Sequence, residues 1–427
     1  LYGTPGLSLF STAGSGAIRG CFASANGRAF VVSGSELYEV DSAGDITLRG
    51  ALTTSTGNVT IAENSIQLII VDGTSGFTLT YSSNAFSIIT DSDFPTAGTV
   101  TVIDGYAVVN QVDSGRYYIS SVNDATSWAA LDFASAESSP DTLLSVVNGM
   151  GQLWLFGEKT TEIKTNTGDT SFPFQKLGNT IEMGILAAHT AKSANNAVFW
   201  VGKDDNGSGI VFTATGFSPQ RISTDPIELM ISKATKPSEM NAYIYQDEGH
   251  TFYVITGGGL GTTLVYDTAT KLWHERAYLE STGELSQHLG NCHMFAFNKH
   301  LIGSRVDGKV YTMDMDLLDD AGDEIARERI YTHNSDEGRR IRYNRLEIGF
   351  EVGIGLQSGQ GSAPLVSMQL SKDGARTWSD WFTASLGAVG EYETKVEFRR
   401  LGIARQMTFK IRITDPVRVY IVGSYLS

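Results

Sequence analysis

The sequence predicts an all-β protein: an irregular β-propeller of about six or seven blades, followed by a β-sandwich-like module. Three observations carry this. Gly is abundant (46 residues) and Pro scarce (9), with Ser and Thr frequent, which suits short strands joined by tight turns. Apolar residues alternate with period two between turn signals along most of the 427 residues. Strand–turn–strand units recur at roughly 40–50 residues, the size of a four-stranded blade.

The units can be read in order. NGRAFVVSGSELYEVDSAGDITLRG (26–50) gives three strands separated by a Ser-Gly and an Ala-Gly-Asp turn. In NSIQLIIVDGTSGFTLTYSSNAFSIIT (64–90), Asp72-Gly73 and Gly76 sit between apolar runs, as hairpins require. Further units cover 104–131, 151–168, 196–223 and 250–278, with a shorter one at 298–314. Each is too small to bury both of its faces, so the units must stack around a ring. The best helix signal is STDPIELMISKA (223–234): a Thr or Asp cap, Pro226 in the first turn, and Ile227, Met230 and Ile231 on one face. Residues 236–243 suggest a second, short helical turn.

Composition shifts near residue 320, giving a propeller body over 1–325 and a C-terminal platform over 326–427. Residues 1–326 carry 17 Lys+Arg against 36 Asp+Glu, a net −19; residues 327–427 carry 15 against 11, a net +4. An acidic body argues against ordinary phosphate binding, which needs cations to displace counterions. The acidic run DMDLLDDAGDE (314–324) reads as a solvated linker. GLQSGQGSAP (355–364) reads as a flexible loop. The last strands, RLEIGFEVGIG, VSMQLS, KVEFRRLG, MTFKIRIT and VRVYIVGSYL, alternate strongly.

Candidate chemistry is sparse. SKDGARTW (371–378) is close to the Asp-box turn, with Gly374 and Ala375 in exchanged order; it reads as a turn staple. No spacing singles out a pair of glycosidase carboxylates. No zinc pattern joins the seven histidines, although His288 and His293 flank Cys292. GGGLG (257–261) and GSGAIRG (14–20) lack the strand–loop–helix setting of phosphate loops. Cys21 and Cys292 read as buried reduced thiols, not as a disulfide framework. There is no transmembrane run and no signal-peptide pattern at Leu1, and the chain does not open on Met. No metal, cofactor or catalytic residue is expected. The basic residues Arg339, Arg340, Arg342, Arg345, Arg399, Arg400 and Arg405 are candidate interface contacts, because Arg is favoured in protein interfaces.

Four segments together resemble the packaged-DNA stabilisation proteins, the tail hubs or nozzles of podovirus-type short-tailed bacteriophages. They are LYGTPGLSLF; GQLWLFGEKTTEIKTNTGDTSFPF with AKSANNAVFWVG; RISTDPIELMISKATKPSEMNAYIYQDEGHTFYVIT with TTLVYDTATKLWHE; and SKDGARTWSDWF with VEFRRLGIARQMTFKIRITDPVRVYIVGSYL. The resemblance implies a non-enzymatic virion tail protein assembled in the host bacterial cytoplasm. It implies a hexameric ring below the head-to-tail adaptor. That ring would extend the channel through which genomic DNA passes without sequence-specific binding, retain packaged DNA, and anchor tail spikes or fibres and a needle or plug. The alternative is a carbohydrate-binding or carbohydrate-cleaving propeller in receptor recognition.

Overall fold

A strand sandwiched between two neighbouring sheets must be apolar on both faces, whereas an edge strand need not be. That gradient organises this chain. The computed structural model describes residues 3–427 apart from 137–140, 170, 179, 204–206, 208, 332–333 and 336. It divides into two units: Leu9–Ala277 with Ser286–Thr312, and Leu1–Ser8 with Tyr278–Leu285 and Met313–Ser427.

The first unit is a seven-bladed propeller. The innermost strands are Ile18–Ala23, Thr60–Glu63, Ala97–Ile103, Leu143–Gly149, Lys192–Ala194, Met240–Asp247 and Gly290–Ala296. Each touches the next, and the seventh touches the first, so the ring closes. The second strands are buried almost throughout: Ala29–Ser33 and Gln67–Val71 completely, Gln152–Gly157 and Ala197–Lys203 at all but one position. These are the apolar runs AFVVS, QLIIV, QLWLFG and AVFWVGK. Fourth strands such as Ile46–Ala51, Ala85–Ile88 and Ser218–Arg221 have no buried position. Between the fourth and fifth blades Trp154, Phe156 and Trp200 are fully buried, with Phe156 and Trp200 ring centroids 5.4 Å apart. Fully burying one such side chain contributes roughly 1.5–3 kcal/mol, which makes these seams the main source of propeller stability.

The seventh sheet takes its fourth strand from the other end of the chain. Gly6–Thr12 lies beside Lys309–Asp314, and Ala13 N donates to Gly308 O at 2.7 Å. The closure needs a glycine at 308: a Cβ there would sit 2.3 Å from the Gly14 carbonyl oxygen and 2.6 Å from that of Ala13.

Polar staples join blades elsewhere. The Arg19 guanidinium is 4% exposed and donates to the carbonyls of Gly34, Thr54, Thr56 and Gly57 and to Thr54 Oγ1, at 2.7–2.9 Å. Asp72 accepts from the amides of Thr74 and Ser75 in its own turn and from the amide of Thr54 and the Thr53 hydroxyl across the seam. The helix forms at Asp225–Ser232 with Ile227 and Ile231 buried, Thr224 at the N-cap position and Pro226 in the first turn; a 3-10 turn follows at Pro237–Glu239.

The second unit holds a β-sandwich. One sheet orders Arg327–Ile330, Gln406–Ile413, Leu365–Ser371 and Phe382–Ser385; the other orders Val396–Ala404, Ile341–Phe350 and Ile421–Leu426. Leu346, Ile348, Val366, Met368, Phe398, Phe409 and Ile411 fill the space between them. The acidic run at 314–324 is not a solvated linker. Asp319–Asp320 pairs with Asp323–Glu324 as a small hairpin, Asp320 pairs in parallel with Leu7, and Asp320 is 2% exposed. Aspartates suit such turns because they bond local amides: Asp314 accepts from Asp316 N and Asp319 from Gly322 N. The Gly/Ser-rich loop folds back on itself, with Leu356 N donating to Gly361 O at 2.8 Å.

Candidate functional site

The sandwich strands alternate so that one side chain in two points outward. On Ile341–Phe350 the inward set is Tyr343, Leu346, Ile348 and Phe350, which leaves Arg342, Arg345 and Glu347 on the outer face. Its neighbour Val396–Ala404 pairs Arg345 with Arg399 and Arg342 with Ile403. A bulge between Tyr343 and Arg345 falls opposite Arg400, whose φ of 61° is left-handed. Like charges placed opposite one another repel unless neutralised. Here Glu397 does so, with Arg399 at 2.5 Å and Arg345 at 3.5 Å; Glu347 adds a contact to Arg345 at 3.3 Å. The bond from Arg399 holds the Glu397 carboxyl below its ordinary range.

Of the seven arginines expected at an interface, the structure brings Arg342, Arg345 and Arg399 onto one face. Arg339 instead pairs with Glu337 at 3.5 Å, and Arg405 donates to Gly338 O at 3.3 Å. Arg340 and Arg400 are exposed. Among the described residues, Arg340, Arg342 and Arg400 make no ion pair.

A second outward strip escaped the sequence analysis. On Gln406–Ile413, Phe409 and Ile411 point inward while Lys410 and Arg412 point out. The Lys410 ammonium lies 4.5 Å from the Trp378 ring centroid and the Arg412 guanidinium 5.0 Å from that of Trp381. Glu328, opposite Arg412 in the register, bonds its guanidinium. Trp381 and Phe382 remain about 40% exposed. The signal was present: two tryptophans three residues apart, and two cations two residues apart in an alternating strand.

The loop carrying those tryptophans is built by its Asp-box residues. Asp373 accepts from the amides of Arg376 and Thr377 and from the Thr377 hydroxyl, at 2.6–3.0 Å, and these bonds, the Thr377 hydroxyl's above all, push its carboxyl far below the ordinary range. Ala375 holds the position glycine takes in the regular pattern, at φ 68°.

In the propeller, a depression of about 530 Å³ opens beside Ser24, Asn26, Glu63, Asn64, Tyr81 and Asn123. Glu63 is the one carboxylate lining it. Its oxygens are already engaged by Ser24 Oγ, Tyr81 Oη at 2.6 Å and Ala25 N at 2.7 Å. The two-carboxylate geometry of a glycosidase is not assembled there. Arg19, the most deeply placed arginine of the first blades, is occupied by backbone carbonyls rather than held for a substrate carboxylate. His288 Nδ1 accepts from Gly290 N at 3.2 Å, and His293 contacts His300 at 3.0 Å. Among the described residues no three His, Cys, Asp or Glu side chains converge as a metal site, and no helix is long and apolar enough to cross a membrane.

Fold and surfaces thus define a class first: a two-module all-β protein, a closed propeller followed by a sandwich with outward cationic and aromatic faces. Family models make this specific. Residues 1–318 match the β-propeller of bacteriophage P22 Gp10, and residues 326–426 match its β-sandwich. The chain belongs to the P22 Gp10 family of phage tail structural proteins. No curated protein matches by sequence. Among solved structures, the extracellular domain of a hybrid two-component system from B. thetaiotaomicron is similar in fold, at 9% identity and TM-score 0.50, over 92% of this chain and 48% of that one. The Cps50 (Swd1) β-propeller domain of Myceliophteria thermophila follows at 8% identity and TM-score 0.46, over 72% of this chain and 99% of that one. The chain spans about half the length of the first of these.

Proposed function

We propose that this protein forms a ring, six copies around, that continues the DNA channel below the head-to-tail adaptor and retains the packaged genome. The observation that carries this is the family match in both modules, the propeller over 1–318 and the sandwich over 326–426, in that order. The acidic body supports it, since a net charge of −19 over residues 1–326 repels phosphate and lets DNA slide without being held. We take residues 1–325 as the body and 326–427 as a platform. The platform's Arg342, Arg345 and Arg399 face, with Arg339, Arg340, Arg400 and Arg405 at its margins, is the surface for neighbouring virion proteins: adaptor, spike or fibre, and needle or plug. Ring contacts of this kind are heterologous, different patches meeting on successive copies. Assembly takes place in the host cytoplasm, and the role is geometric rather than catalytic. The lone, fully engaged Glu63 carboxylate in the propeller depression gives no support to glycoside cleavage.

The test is native mass spectrometry of the purified chain with the adaptor ring. Six copies joining each ring are expected. A one-to-one complex that never closes, or a purified protomer that depolymerises host capsule, overturns the proposal.

A further inference from the structure

Cys21 lies on the innermost strand of the first blade and Cys292 on that of the seventh, the two strands that meet where the ring closes. The residues are 271 apart in sequence, yet their Sγ atoms are 2.6 Å apart. Unbonded carbons already settle at about 3.5–4.0 Å, and sulfur is larger. The separation is far closer to the ~2.05 Å of a covalent S–S bond. Gly303 on the neighbouring strand leaves this sulfur its room, since a Cβ there would lie 2.8 Å from Cys292 Sγ.

We propose that Cys21 and Cys292 form an intramolecular disulfide that ties the first blade covalently to the last. The oxidant is a low-molecular-weight disulfide such as oxidised glutathione. The Cys292 thiolate attacks one glutathione sulfur and expels a glutathione thiolate. The Cys21 thiolate then displaces the second glutathione, forming the Cys21–Cys292 bond. Two protein thiols and one glutathione disulfide become one protein disulfide and two glutathione thiols. The reading is independent of any ring of copies, because both sulfurs belong to one chain.

The experiment incubates the full-length protein with oxidised glutathione, then denatures, alkylates and digests it. A Cys21–Cys292-linked peptide is expected by mass spectrometry, with both thiols lost to alkylation. Dithiothreitol should lower the thermal midpoint of the oxidised protein by on the order of 5 °C, since the link closes a very long loop. It should leave Cys21→Ser and Cys292→Ser unmoved. Recovery of both cysteines as alkylated residues, as stable glutathione adducts, or in a link between two copies overturns the proposal.

Discussion

The two modules handle buried charge and exposed charge in opposite ways. In the propeller, ionisable groups are drawn inward and consumed by structure. Arg19 is saturated by four carbonyls and the Thr54 hydroxyl, Asp72 bonds amides of its own turn and across the seam, and His189, His288 and His293 are held neutral, burial being the main cause, with pKa values near 3. In the sandwich the core is purely apolar in its central residues, and the cations stand outside against tryptophans and glutamates. A module stapled from within is suited to holding a shape, and a module with cations outside is suited to meeting partners.

The largest expected effect that separates them is Trp154→Ala. It should cost the propeller about 3–5 kcal/mol and leave the sandwich transition in place by calorimetry. A common shift of both transitions would show that the modules unfold as one. Gly308→Val attacks the closure instead. Forcing a side chain against the Ala13 and Gly14 carbonyls should cost about 1–3 kcal/mol, again on the propeller transition alone.

Acid should sharpen the contrast. His189, His288 and His293 have folded pKa values below the unfolded 6.5, so the unfolded chain binds more protons between about pH 6.5 and 3. Propeller stability is therefore full above pH 6.5 and falls as pH drops toward 3. The depressed carboxyls of the sandwich, Asp373 and Glu397, begin to lose their contribution only below their ordinary values, near pH 4. Midpoints followed from pH 7 to 5 should drop for the propeller and hold for the sandwich. The smallest effect runs the other way. Ala375→Gly relieves a left-handed alanine and should raise the sandwich midpoint by the equivalent of about 1 kcal/mol; an unchanged midpoint would mean that the Asp373 bonds fully absorb the strain.

The blades were legible because a strand buried on both faces leaves an unbroken apolar run, and Gln67–Val71 or Ala197–Lys203 can be read without coordinates. Their number was legible only as six or seven. The seventh sheet borrows Gly6–Thr12, and nothing local in GLSLFST says which distant edge it will pair with. The acidic hairpin at 319–324 was missed for a related reason: composition suggested solvation, while the decisive contact, Leu7 with Asp320, spans more than three hundred residues. Exposed arginines could be named from sequence but not grouped. Only the register of Ile341–Phe350 with Val396–Ala404 shows that Arg345 faces Arg399 and shares Glu397 with it.

The borrowed strand also fixes a schedule. The segment Gly6–Thr12 is synthesised some three hundred residues before its hydrogen-bonding neighbour, Lys309–Asp314. At a synthesis rate of about 5–20 residues per second, that strand waits tens of seconds with an unpaired edge. During that interval a growing chain offers a free strand and a matching gap, the ingredients for exchange between neighbours on one message.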